Sequence, residues 1–535
     1  MAGAGFAQNT KCLTPAEGSV VAAPENLYSS NGVLTANFTF LNYTDPIFGF
    51  QHYCYTNTDG VLSPTLRLNP GDKLHLSLTN SLDGSQLPNM AGALDMGAPA
   101  SSATSTPCST GLMTGLTTNV HFHGLNVPPT CHQDEVATTM IQQNETYRYA
   151  ITIPTSEPPG LYWYHPHSHG LSDAQVYGGA SGIIVVEGIQ NFNPALSGLP
   201  ERIVVLRDQP NTIESEVVSD FTPTVTPDKD VSVNYVPIVT PNYTPAVISM
   251  RPGAQEFWRV ANAAADTIFD LSLMYNGVAQ AVGVVGLDGV PLGWGTGSSG
   301  ARTEWAYHVY IPPGGRAEFI VNGPASGVMG KLVTAAIDNG LLGDVDPART
   351  LATVSVSAGA ALPGPVVPPS THTIANQRFP WLANVAPTAT RSLYFSERQI
   401  NPNKADGYAF YLTVDGQTPH MYSTKDAPNI TTTVGAVEDW TIENRAEEAH
   451  EFHMHQLHFL VLEVNGQPVT QAELRDTYQV DAWDGTSTTY PSIKVRMDFR
   501  DPEIAGTFVY HCHILQHEDR GMMGTILVNP ASTAK

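Results

Sequence analysis

Three glycines, Gly71, Gly253 and Gly435, recur at an even spacing of 182 residues along a chain of 535. Each opens a similar stretch: "NPGDKLHLSLTN" from residue 69, "RPGAQEFWRVAN" from 251 and "TVGAVEDWTIEN" from 433. Asn80, Asn262 and Asn444 close the three stretches. Within them Leu76, Trp258 and Trp440 share one register. Leu78, Val260 and Ile442 share the next position on the same face of a strand. A repeat this long means three like domains and not a solenoid of short units. "GIQNFNPALSGLPER" and the Pro-rich "GAALPGPVVPPSTHT" read as connections. Domains are therefore expected at residues 28–190, 199–360 and 375–530.

The chain holds 41 Pro and 46 Gly, with only 14% charged residues and no long amphipathic helix. That predicts an all-β protein of antiparallel sandwiches. A net charge of −24 repels phosphate backbones, so no nucleic-acid partner is expected. No apolar run approaches the roughly 18 residues that span a bilayer, so no membrane partner is expected either. Small residues ahead of Gln8 fit the end of a trimmed leader, and a secreted or periplasmic location is expected. The five cysteines leave one over, which points to a separate task for Cys512. Of three possible pairings for the rest, Cys12–Cys54 and Cys108–Cys131 close the short loops. Asn37, Asn42, Asn144, Asn242 and Asn429 stand in N-x-S/T sequons that permit glycosylation.

The 18 histidines are not scattered. Random placement gives about 0.6 His-x-His pairs. The sequence has five, in "HFHG" at 121, "WYHPHSHG" at 163, "HEFHMHQLHF" at 450 and "YHCHILQHEDRGMM" at 510. All four clusters lie in the first and third domains, and the second holds only His308. Residues i and i+2 of a strand share a face, so each pair aims two imidazoles at one side. Eight converging nitrogens exceed the four ligands of one zinc and suit two or three metals, with copper, zinc, iron or nickel allowed. Cys512, between His511 and His513, points the other way. A thiolate with two histidines and a weak methionine is a blue-copper set. Cys512, His517 and Met522 supply three members, and His450 is the natural fourth.

These clusters resemble the signature of the multicopper oxidases, the laccase-like family of three cupredoxin domains, over essentially the whole chain. Glu451 stands where the family's third motif has a proline, a departure that bears on the placing of His450. The resemblance implies four copper ions: a type 1 ion on His450, Cys512, His517 and Met522, and a type 2 ion on His121 and His453. One type 3 ion would take His123, His165 and His513, and the other His167, His455 and His511. Met523 competes for the axial place, and the family offset favours Met522. Glu518 and Asp134 are expected to relay protons, with Glu135 adjacent to the latter. His169 and His458 are expected beside the site or at the surface. The implied activity is one-electron oxidation of phenols and aromatic amines coupled to four-electron reduction of O2 to water. The expected partners are a small-molecule reductant and O2, and a monomer is expected. Alternatives are a metal-ion oxidase, with Glu447, Glu448 and Glu451 as nearby acids, and a bilirubin oxidase. A copper-free structural protein is the alternative of another class.

Overall fold

The computed structural model describes residues 12, 14–45, 49–86, 108, 113–210, 229–295, 300–370, 378–402 and 407–531. The strands between residues 26 and 186, 201 and 356, and 389 and 529 form three successive pairs of main sheets. The first pair has four and five strands, the second eight and six, the third seven and five. Among the described residues no helix is long and apolar enough to cross a membrane.

The 182-residue repeat has a physical basis. Strands Lys73–Asn80, Gln255–Asn262 and Ala436–Asn444 occupy equivalent places. Each runs parallel to one neighbour and antiparallel to another. Leu76, Trp258 and Trp440 are buried in the three cores, as are Leu78, Val260 and Ile442. Each such side chain contributes about 1.5–3 kcal/mol relative to exposure. The closing asparagines are all buried and do the same work. Each side-chain oxygen accepts the N–H two residues on, at Leu82, Ala264 and Ala446. Each amide group donates to at least two carbonyls of neighbouring loops. An asparagine there satisfies backbone groups that the strand ends would otherwise leave bare.

Disulfides join Cys12 to Cys54 and Cys108 to Cys131, leaving Cys512 free and buried. Asn42 is buried and exchanges hydrogen bonds with the Asp83 backbone, so the folded chain offers no glycan acceptor there.

Candidate metal centre

Two pairs of strands carry most of the histidines. His121–His123 pairs antiparallel with Gly160–His165, which sets His121 opposite His165. His450–Met454 pairs with Gly506–Cys512, which sets His453 opposite His511. Strand alternation sends the His121 and His123 rings to one face, while His167, His455 and His513 lie just past the ends of their strands. The two strand pairs meet. His121 stacks on His455 with centroids 3.8 Å apart, and His123 stacks on His453 at 4.0 Å. His511 Nε2 lies 3.2 Å from His167 Nε2 and 3.1 Å from His455 Nε2.

Three trios bring their donor atoms within 4.8 Å of one another: His121, His123 and His453; His123, His165 and His513; His167, His455 and His511. All eight residues are buried. The Nε2 atoms of His121, His123, His165 and His453 have no hydrogen-bond partner, nor has either nitrogen of His513. Bare buried polar atoms are costly, about 1–3 kcal/mol each, and so many aimed at one centre fit a cluster of metal ions. Burial holds all eight imidazoles well below their ordinary pKa, neighbouring imidazoles adding to the effect for most of them. Neutral rings are the form that binds metal.

A fourth group lies behind the first three. Cys512 Sγ is 3.7 Å from His450 Nδ1 and 3.8 Å from His517 Nδ1, and the two nitrogens are 3.2 Å apart. One sulfur with two imidazoles is a donor set that suits copper. Met522 shares the apolar core of Cys512, whereas Met523 packs with Val136, Tyr422 and Val509. The Glu451 N–H donates to Cys512 Sγ at 3.4 Å. A proline there has no N–H to give.

The two acids singled out from sequence both touch the cluster. Asp134 places both carboxylate oxygens 3.0 Å from His121 Nδ1 and accepts from the Phe122 N–H at 2.9 Å. Burial pushes its pKa up to about 7. Glu135 is half-buried and instead accepts from Thr138 and Thr139. Glu518 reaches both His167 Nδ1 and His511 Nδ1 at 3.7 Å, and Ser172 donates to it at 3.2 Å. Burial and the adjacent Asp519 raise its pKa well above the usual carboxylate range.

Gln456 and Glu397 carry no signal in the sequence, whereas Glu448 is one of the acids expected nearby and His169 and His458 are those expected beside the site or at the surface. Gln456, at a left-handed φ of 59°, donates to Asp134 at 2.5 Å. Glu397 Oε1 stands 3.0 Å from His450 Nε2, off the line of a hydrogen bond, and Glu448 Oε2 stands 3.5 Å from His517 Nε2. His458 is fully buried, 2.8 Å from the Asp288 carbonyl, and His169 is buried edge-on against Tyr422.

Multicopper oxidase family models match residues 113–191 and 388–532. "Multicopper oxidase mco" of Staphylococcus aureus is 22% identical over 486 residues, covering 89% of this chain and 84% of the relative. A solved multicopper oxidase of Campylobacter jejuni, described as a metallo-oxidase, covers 98% of both chains with a TM-score of 0.66 and 22% identity. A McoA variant of Aquifex aeolicus covers 96% of this chain and 99% of its own, with a TM-score of 0.67 and 18% identity. The fold is thus three cupredoxin-like sandwiches. Matched at both histidine-bearing regions, and related along nearly its whole length, the chain belongs to the multicopper oxidase family.

Proposed function

We propose that this chain is a laccase-like oxidase holding four copper ions, which oxidises phenols and aromatic amines one electron at a time and reduces O2 to water. The type 1 ion would be held by His450, Cys512, His517 and Met522. The type 2 ion would take His121 and His453. The type 3 pair would take His123, His165 and His513, and His167, His455 and His511. When bound, copper supplies one-electron redox chemistry at both places and the O2 site at the cluster. The carrying observation is that Cys512 lies between His511 and His513 in sequence while its sulfur faces the opposite side. Its backbone joins the two sites by a few covalent bonds. Four electrons and four protons must meet one O2, and Asp134 and Glu518 stand where protons are needed.

Copper loading tests this. The expected result is four ions per chain and a blue band at about 600 nm from Cys–copper bonding. Cys512→Ser should abolish that band and phenol-driven O2 uptake. A colourless copper-loaded protein would favour a structural role.

Glu397 and Glu448 support a second reading, oxidation of a metal cation. Each abuts the outer nitrogen of one proposed type 1 ligand. Glu451 does not, since its carboxyl faces inward. Turnover of Fe(II), Cu(I), bilirubin and a phenol in parallel separates these readings. Glu448→Gln should impair Fe(II) far more than phenol if the cation reading holds.

A further inference from the structure

The middle unit lends no histidine to the cluster, yet two of its residues touch it. Gly314, at φ +77°, lies against His513, where an added Cβ would come within 2.7 Å of Nε2. Arg316 opens strand Arg316–Asn322 and is fully buried. Its Nε donates to the Leu161 carbonyl at 3.2 Å and its Nη1 to the Gly314 carbonyl at 2.9 Å. Its Nη1 and Nη2 grip Asp476 at 2.7 and 2.5 Å as a two-pronged pair. The same Nη1 stands 3.2 Å from His123 Nδ1. Asp476 passes the constraint on, because its carbonyl accepts from His453 Nδ1 at 2.8 Å. Gly124, next to His123, leaves no room for a side chain beside the guanidinium and the Asp476 carboxylate. One guanidinium thus touches the first unit at Leu161 and His123 and the third at Asp476, across the stacked His123–His453 pair.

We propose that Arg316 is a positioning residue for the histidine cluster, fixing His453 through Asp476 and packing its guanidinium against His123. The two histidine-bearing units then meet in register only with the middle unit docked between them. This rests on the four-copper reading above. Orienting groups behind metal ligands are worth about 10- to 100-fold in metal affinity. A lysine lacks the planar fork and holds one carboxylate oxygen where arginine holds two.

The test compares copper-loaded wild type with Arg316→Lys, Arg316→Met and a control, Arg259→Lys. Arg259 is an equally buried middle-unit arginine that pairs with Glu201 and Glu318, and none of its hydrogen bonds reaches the cluster. Copper content, the type 2 electron paramagnetic resonance signal and the blue band are measured against a competing chelator. The Arg316 variants should keep the blue band and bind the type 2 ion about 10- to 100-fold more weakly. Arg259→Lys should match wild type in both. If Arg316→Met does not fold, Arg316→Lys decides. Wild-type type 2 affinity in a folded Arg316 variant would overturn the proposal. So would equal loss in Arg259→Lys, which would reduce the role to general stability. A wild-type chain that takes up no copper would overturn the copper reading and this proposal together.

Discussion

Phe410 lies flat on the His517 imidazole, with ring centroids 4.2 Å apart and planes 15° from parallel. The Nδ1 edge of that ring faces Cys512 and His450, and Nε2 faces Glu448. An aromatic donor therefore cannot stack on the face that Phe410 covers. Phe410→Ala should uncover it and raise kcat/KM for bulky phenols about tenfold, equivalent to ~1.4 kcal/mol. It should cost about 3–5 kcal/mol of stability through the cavity. Steady-state rates and a thermal melt check both, and an unchanged phenol rate would show that electrons enter by another edge.

Asp134 and Glu518 hold the imidazoles from behind, on the side away from the bare nitrogens of His121 and the His167–His511 contact. Asp134→Asn and Glu518→Gln keep the shapes and remove the transferable proton. Anaerobic reduction of the blue band by a phenol should proceed at the wild-type rate. Reoxidation by O2 should slow about 100-fold or more. Stopped-flow mixing resolves the halves, and equal slowing of both would reject the relay role.

The strands and their histidines were legible because both obey short rules. Period-two alternation placed His121 with His123, and the repeat placed Trp258 with Trp440 in equivalent cores. Cys512 was legible because few functions need a cysteine between histidines. Arg316, Asp476, Glu397 and Gln456 were not legible. They act across 160 residues from Arg316 to Asp476 and 322 from Gln456 to Asp134. Those distances are set by domain docking, which leaves no period in a sequence.

Glu157 is buried beside Asn126, which donates to it at 2.8 Å, and burial pushes its pKa up to about 7 against the opposing pull of Arg378. The sign follows. The folded chain keeps a proton that the unfolded chain loses near pH 4.3, so stability falls as pH rises from about 4.3 to 7. Glu157→Gln keeps the acceptor and lacks that loss. Denaturation at pH 4.5, 6 and 7.5 should find the variant gaining on wild type as pH rises. A constant difference would mean that Glu157 does not titrate in this window.

Glu451 carries two separable effects. Its carboxyl is fully buried with both oxygens unpartnered, and burial raises its pKa well above the usual range. Glu451→Leu should therefore stabilise the protein by about 1–3 kcal/mol at neutral pH. The gain should shrink below about pH 4.5, where the unfolded carboxyl is protonated too. The Glu451 N–H, by contrast, meets Cys512 Sγ. Hydrogen bonds to that sulfur tune a type 1 potential by favouring the electron-rich form less or more as they are lost or made. Glu451→Pro removes the N–H and should lower the potential, making reduction about tenfold less favourable, or ~59 mV for one electron. Glu451→Leu retains the N–H and should leave the potential near wild type. Redox titration of the blue band distinguishes the two. A potential that moved equally in both variants would assign the effect to the carboxyl and not to the backbone.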